Sequence, residues 1–98
     1  MSSNNHYKKD PNEVKDYTFD WTLNLAEYGD EIDTSSFSFG ETDSGMTIES
    51  TANTTTDATV WLSGGNDTYK EWRVFNEIVT TGGRTLVDVI YINVGSRR

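Results

Sequence analysis

Tyr17-Thr18-Phe19-Asp20-Trp21-Thr22-Leu23-Asn24-Leu25 is the stretch whose reading decides the fold class. Apolar and polar residues alternate without a break, the period of a strand with one buried and one wet face. Working downstream, Gly29-Asp30 marks a turn, and Ile32 to Phe39 sets Phe37 and Phe39 on one face with serines opposite. Gly40 to Gly45 is a second turn. Met46 and Ile48 predict a short strand, followed by a Thr- and Asn-rich loop over residues 50–57. Ala58 to Ser63 forms a further strand, closed by Gly64-Gly65-Asn66-Asp67. Tyr69 to Thr80 is a long strand with Trp72, Val74, Asn76 and Ile78 on one face and Arg73, Phe75, Glu77 and Val79 on the other. Gly82-Gly83 supplies a hairpin, and Leu86 to Val94 pairs back across it.

No helical period is present in this reading. Short strands separated by Gly- and Asn-rich turns predict an all-β domain, a single small β-sandwich. A Greek key of immunoglobulin type is the commonest solution at this length, so residues 17–98 are expected to form an immunoglobulin-like β-sandwich. Its core is expected to hold Tyr17, Phe19, Trp21, Leu23, Trp72, Val74, Ile78, Ile90 and Ile92.

Upstream, residues 1–16 are polar and aperiodic, and Pro11 breaks any helix there. They read as an extended N-terminal arm, either disordered or ordered on a neighbour's surface. No apolar stretch opens the chain and none approaches the ~20 residues of a membrane span. Synthesis in a cytoplasm is the expectation.

Composition narrows the function. The net charge of −8 opposes binding to nucleic acid or to an anionic membrane. Nine acidic residues lie between Tyr17 and Asp57 with no Lys or Arg, whereas Lys8, Lys9, Lys15, Arg97 and Arg98 sit near the two ends. Such a distribution suits either a solvated acidic face or copies aligned basic end to acidic middle. The chain has no cysteine, and its one histidine, His6, lies in the arm. No G-x-S-x-G elbow is present, and the acidic turns at Gly29 to Asp33 and at Glu41 and Asp43 do not follow the calcium-loop pattern. An enzyme is not expected, and neither a cofactor nor a metal.

Two features are left over once a core is assigned. Trp61 lies opposite Val60 and Leu62, so it faces outward if they are buried. The last strand is apolar twice over: Leu86, Ile90, Ile92 and Val94 on one side, Val87, Val89 and Tyr91 on the other. A strand apolar on both faces is covered on both. The arm, a loop or another subunit must therefore lie over Val87, Val89 and Tyr91.

Lys9-Asp10-Pro11, Asp16-Tyr17, Asp20-Trp21, Gly29-Asp30-x-Ile32 and Ser35-Ser36 resemble the first half of a family of small tailed-bacteriophage virion proteins. Val60-Trp61-Leu62-Ser63-Gly64-Gly65, Asn76-x-Ile78 and Thr80-Thr81-Gly82-Gly83-Arg84-Thr85 continue the likeness from about Lys8 onward. The segment Tyr69-Lys70-Glu71-Trp72 is longer and more charged than that family's usual Tyr-x-Val. The resemblance implies an immunoglobulin-like, non-enzymatic virion component, a fibre–tail adaptor held by other tail, fibre or capsid proteins in several symmetric copies. A head decoration protein has the same size and fold, and a carbohydrate-binding module using Trp61 is the alternative of another class. The candidate interface residues are Tyr7, Lys8, Lys9, Asp10 and Pro11 in the arm, with Trp61, Val87, Val89 and Tyr91.

Overall fold

The computed structural model describes residues 5–66 and 71–95. Among these residues seven strands and one short helix follow in order: β1 (His6–Lys9), β2 (Lys15–Asp20), α1 (Thr22–Ala26), β3 (Ile32–Phe39), β4 (Met46–Asn53), β5 (Asp57–Gly64), β6 (Glu71–Thr80) and β7 (Thr85–Val94). They form two sheets, a four-stranded one in the order β1-β7-β6-β3 and a three-stranded one in the order β2-β5-β4. All neighbours are antiparallel except β1, which lies parallel to β7 with His6 opposite Tyr91 and Lys9 opposite Val94. The inward rows of both sheets meet in one core of Tyr17, Phe19, Val60 and Leu62 against Trp72, Val74, Ile78, Ile90, Ile92 and Val94. The all-β, two-sheet expectation holds.

The opening strand is shorter than its alternation suggests. The Asp20 carboxylate accepts hydrogen bonds from the Thr22 backbone N–H (2.9 Å) and hydroxyl (2.6 Å), and these bonds hold its pKa below the usual value. The chain then turns into α1, with Leu25 N–H donating to the Trp21 carbonyl. Trp21 and Leu25 are both buried, because a spacing of four places residues on one face of a strand and of a helix alike. Leu23, midway between them, is 80% exposed, which corrects its assignment to the core.

Two further boundaries move. Strand β4 runs on to Asn53 where a loop was expected, with a register shift between Ile48 and Ser50. At a sheet edge, an exposed Thr/Ser run needs no apolar alternation to pair on one side. The link to β5 is a tight turn in which the Thr54 hydroxyl accepts from the Thr56 and Asp57 N–H groups. Of the strand expected from Tyr69, the part before Glu71 lies outside the described residues.

The arm is corrected in the same way. From His6 to Lys9 the chain is β1, the outer strand of its own sheet, and Lys15 and Asp16 already belong to β2. Residues 1–4 of the expected arm lie outside the described residues.

Candidate docking surface

Lys9 explains why β1 stays with the domain. Its side chain is completely buried, and Nζ donates to the Gly64 carbonyl at 2.6 Å and the Asp10 carbonyl at 3.1 Å. Burial pushes its pKa down from 10.5, against the opposing pull of Glu13 and Asp10. Asp10 is also buried. Its carboxylate takes the Asn12 N–H at 2.8 Å, while its own N–H donates to Glu13 Oε1 at 2.8 Å. Lys9-Asp10-Pro11 is thus the turn that leads β1 into β2, and Tyr7 packs edge-on against Tyr17 at 5.1 Å between ring centres. Tyr7, Lys9 and Asp10 are turned inward. Lys8 is exposed and Pro11 half-buried.

Gly64 and Gly65 form the other side of this lock. Gly65 has φ +120°, and a side chain there would meet Val94 at 2.9 Å. The V-W-L-S-G-G segment therefore ends where backbone must approach both the buried lysine and the end of β7 closely.

The outer face of the β1-β7-β6-β3 sheet carries the surplus apolar residues. Val87 is 57% exposed, and Val89 and Tyr91 are half-buried along the same row of β7. The β6–β7 register sets Val89 opposite Phe75, and Val79 opposite Thr85. Phe75 and Val79 are also half-buried, so a stripe of five apolar side chains crosses two adjacent strands. The sequence reading left Phe75 and Val79 out of the interface. The alternation of β6 placed them on the outer face, but only the register puts them beside Val87 and Val89.

Charged and aromatic groups frame the stripe. His6 stacks on Tyr91 with ring centres 4.8 Å apart, and His6 Nδ1 lies 2.7 Å from Glu71 Oε2. Arg73 sits 5.6 Å above the Phe75 ring and pairs with Glu41 at 3.2 Å. A shallow cleft of about 330 Å3 opens beside Tyr91, lined by His6, Tyr7, Lys8, Glu71 and Asn93.

Trp61 stands elsewhere. It is 41% exposed on β5, the central strand of the other sheet, with Asp16 and Ser50 across from it. The structure therefore does not gather the candidate residues into one patch. It leaves the β7 stripe and Trp61 on opposite sides of the molecule, and turns Tyr7, Lys9 and Asp10 to structural work.

A two-sheet chain with this lysine-locked first strand, the S-G-G approach and an apolar stripe on its outer face matches one family model over residues 9–93, that of the podophage GP4 fiber-tail adaptor protein gp77. The chain belongs to the gp77 fiber-tail adaptor family. The match begins at Lys9 itself and ends one residue short of the end of β7, so it spans both sheets. Membership in the gp77 family supports a structural, tail-associated role. No curated protein matches the chain.

Proposed function

We propose that this gp77-family chain is a non-enzymatic adaptor that links tail and fibre proteins of the virion through protein–protein contacts, in several symmetric copies. The observation that carries this reading is the stripe of Phe75, Val79, Val87, Val89 and Tyr91 on an outer sheet face, where a lone sandwich would be wet. An adaptor needs two docking surfaces. The stripe and Trp61, on opposite sheets, supply one each, with exposed Lys8, opposite Asn93, at the rim of the first. The charge of −8 suits protein partners rather than nucleic acid or an anionic membrane. The family description favours the tail over head decoration.

The immunoglobulin-like reading of the sandwich belongs to the same proposal. Lettered A to G in chain order, the sheets run A-G-F-C and B-E-D. The C-F-G and B-E-D sets are those of immunoglobulin constant-type domains, and the difference lies in β1 pairing with β7 instead of β2.

Separate disruption of the two faces tests the adaptor. A Val79→Asp/Val87→Asp double variant and a Trp61→Ala variant should each remain folded, because all three side chains face outward. Each should lose one partner and keep the other when tail particles are assembled with it and their fibres counted by electron microscopy. Normal fibre number and normal tail attachment with both variants would refute the proposal.

A further inference from the structure

Among the described residues, β1 has four residues against ten in β7, and it pairs along the β7 edge from Tyr91 to Val94. The orientation of the uncovered part follows from two bonds. Tyr91 N–H donates to the Asn5 carbonyl, away from β6, and the Val89 carbonyl accepts from Asn5 Nδ2 at 3.2 Å on the same side. By the two-residue period of a strand, the backbone groups of Val87 and Thr85 point the same way. Among the described residues no strand meets them. At Val89 the gap is filled from within the chain: its N–H is taken at 2.8 Å by the carboxylate of the preceding residue, Asp88. A side-chain acceptor and a side-chain donor thus occupy the positions that a neighbouring strand's backbone would take.

We propose that this open edge, Thr85–Val89, takes an extended segment of a partner virion protein as an added strand, and that the segment carries Lys or Arg. The proposal rests on the adaptor reading above and specifies how one of its contacts is made. An extended backbone matches the unpaired groups. Exposed Val87 calls for an apolar side chain beside it. Strand addition moves the Val89 N–H onto the partner's carbonyl and frees the Asp88 carboxylate, in a chain of net charge −8, to pair with a cation. A second copy of this chain meets the edge less well, because two β7 edges brought together would set Asp88 and a net charge of −8 against their own like.

Amide hydrogen exchange on the full chain, free and in assembled tail particles, tests this directly. The Thr85 and Val87 N–H groups should exchange about threefold to tenfold more slowly in the particle, as a gained backbone hydrogen bond gives, while the Leu86 and Asp88 amides, which face β6, change less. A Val87→Pro variant removes only an N–H that points off the ladder, so it should keep the fold and lose most of its incorporation. Unchanged exchange at residues 85–89 in particles that contain the chain overturns the strand addition and leaves the adaptor reading intact. Absence of the chain from purified tails refutes both. Concentration-dependent dimerisation that protects residues 85–89 makes a second copy the occupant, and protection in the free chain that vanishes on deleting residues 1–4 makes it the chain's own N-terminus. Either result overturns the proposal.

Discussion

The three tryptophans occupy three different situations. Trp21 Nε1 donates to Asn76 Oδ1 at 2.8 Å, and Asn76 Nδ2 donates onward to Ser35 Oγ and the Ser36 carbonyl, so one buried amide ties the end of β2 to β6 and β3. Trp72 Nε1 is as well buried but has no partner among the described residues, and Trp61 faces solvent. Trp21→Phe should therefore cost about 1–3 kcal/mol more than Trp72→Phe, since only the former strands an acceptor. Equal costs in urea denaturation would show that the Asn76 bridge contributes nothing. Tyr17 offers a test by pH. Its hydroxyl is buried without a partner among the described residues, and burial first, then nearby carboxylates, raises its pKa from 10.0 to about 12. The folded state keeps this proton longer than the unfolded chain. Its contribution is complete below pH 10 and is lost as the pH rises towards about 12. Tyr17→Phe should gain on the wild type over that interval in parallel melts; a constant difference would contradict the assignment.

At the scale of elements, the β6–β7 hairpin is riveted to the turn after α1. Asp30 Oδ2 accepts from the Thr80 hydroxyl at 2.7 Å and Arg84 Nη1 at 3.0 Å, and these partners lower the Asp30 pKa against a smaller effect of burial. Arg84 also lies 4.2 Å above the Tyr28 ring, and Thr81 N–H donates to the Glu31 carbonyl. The two glycines of the hairpin serve it differently. Gly83 has φ +85°, while a side chain on Gly82 would meet the Asp30 carboxylate at 2.6 Å. Gly83→Val should destabilise by about 1–3 kcal/mol through backbone strain, with Gly83→Asn milder. Denaturant midpoints that put the two variants level would exclude strain as the cause. The Thr80 to Thr85 hairpin was legible in the sequence from Gly82-Gly83. The rivet was not, because Asp30 and Arg84 are 54 positions apart and nothing in either neighbourhood names the other.

The whole molecule is elongated, 45 × 24 × 19 Å, and unevenly charged. Asp20, Asp30, Glu31 and Asp57 lie at the end that holds α1 and the β6–β7 hairpin, where Arg84 pairs with Asp30. Self-repulsion among these acids opposes folding, and salt screens it. Raising ionic strength from low to physiological should lift the melting temperature by roughly 2–8 °C, the shift that about 0.5–1 kcal/mol gives in a domain of this size. A fall in scanning calorimetry would mean that ion pairs such as Arg73–Glu41 and Arg84–Asp30 outweigh the repulsion. By itself the sequence determined what is local: the alternation of β2, β3 and β5 to β7, the turns between them, and the double apolar character of β7. Side-chain period and turn chemistry depend on neighbours in the chain, so they can be read there. The tertiary structure decided that Leu23 faces water, that Lys9 is buried, that residues 6–9 complete a sheet, and that Phe75 and Val79 widen the outer stripe. Each of those depends on which distant strand lies alongside, and the period of a strand is blind to its partner.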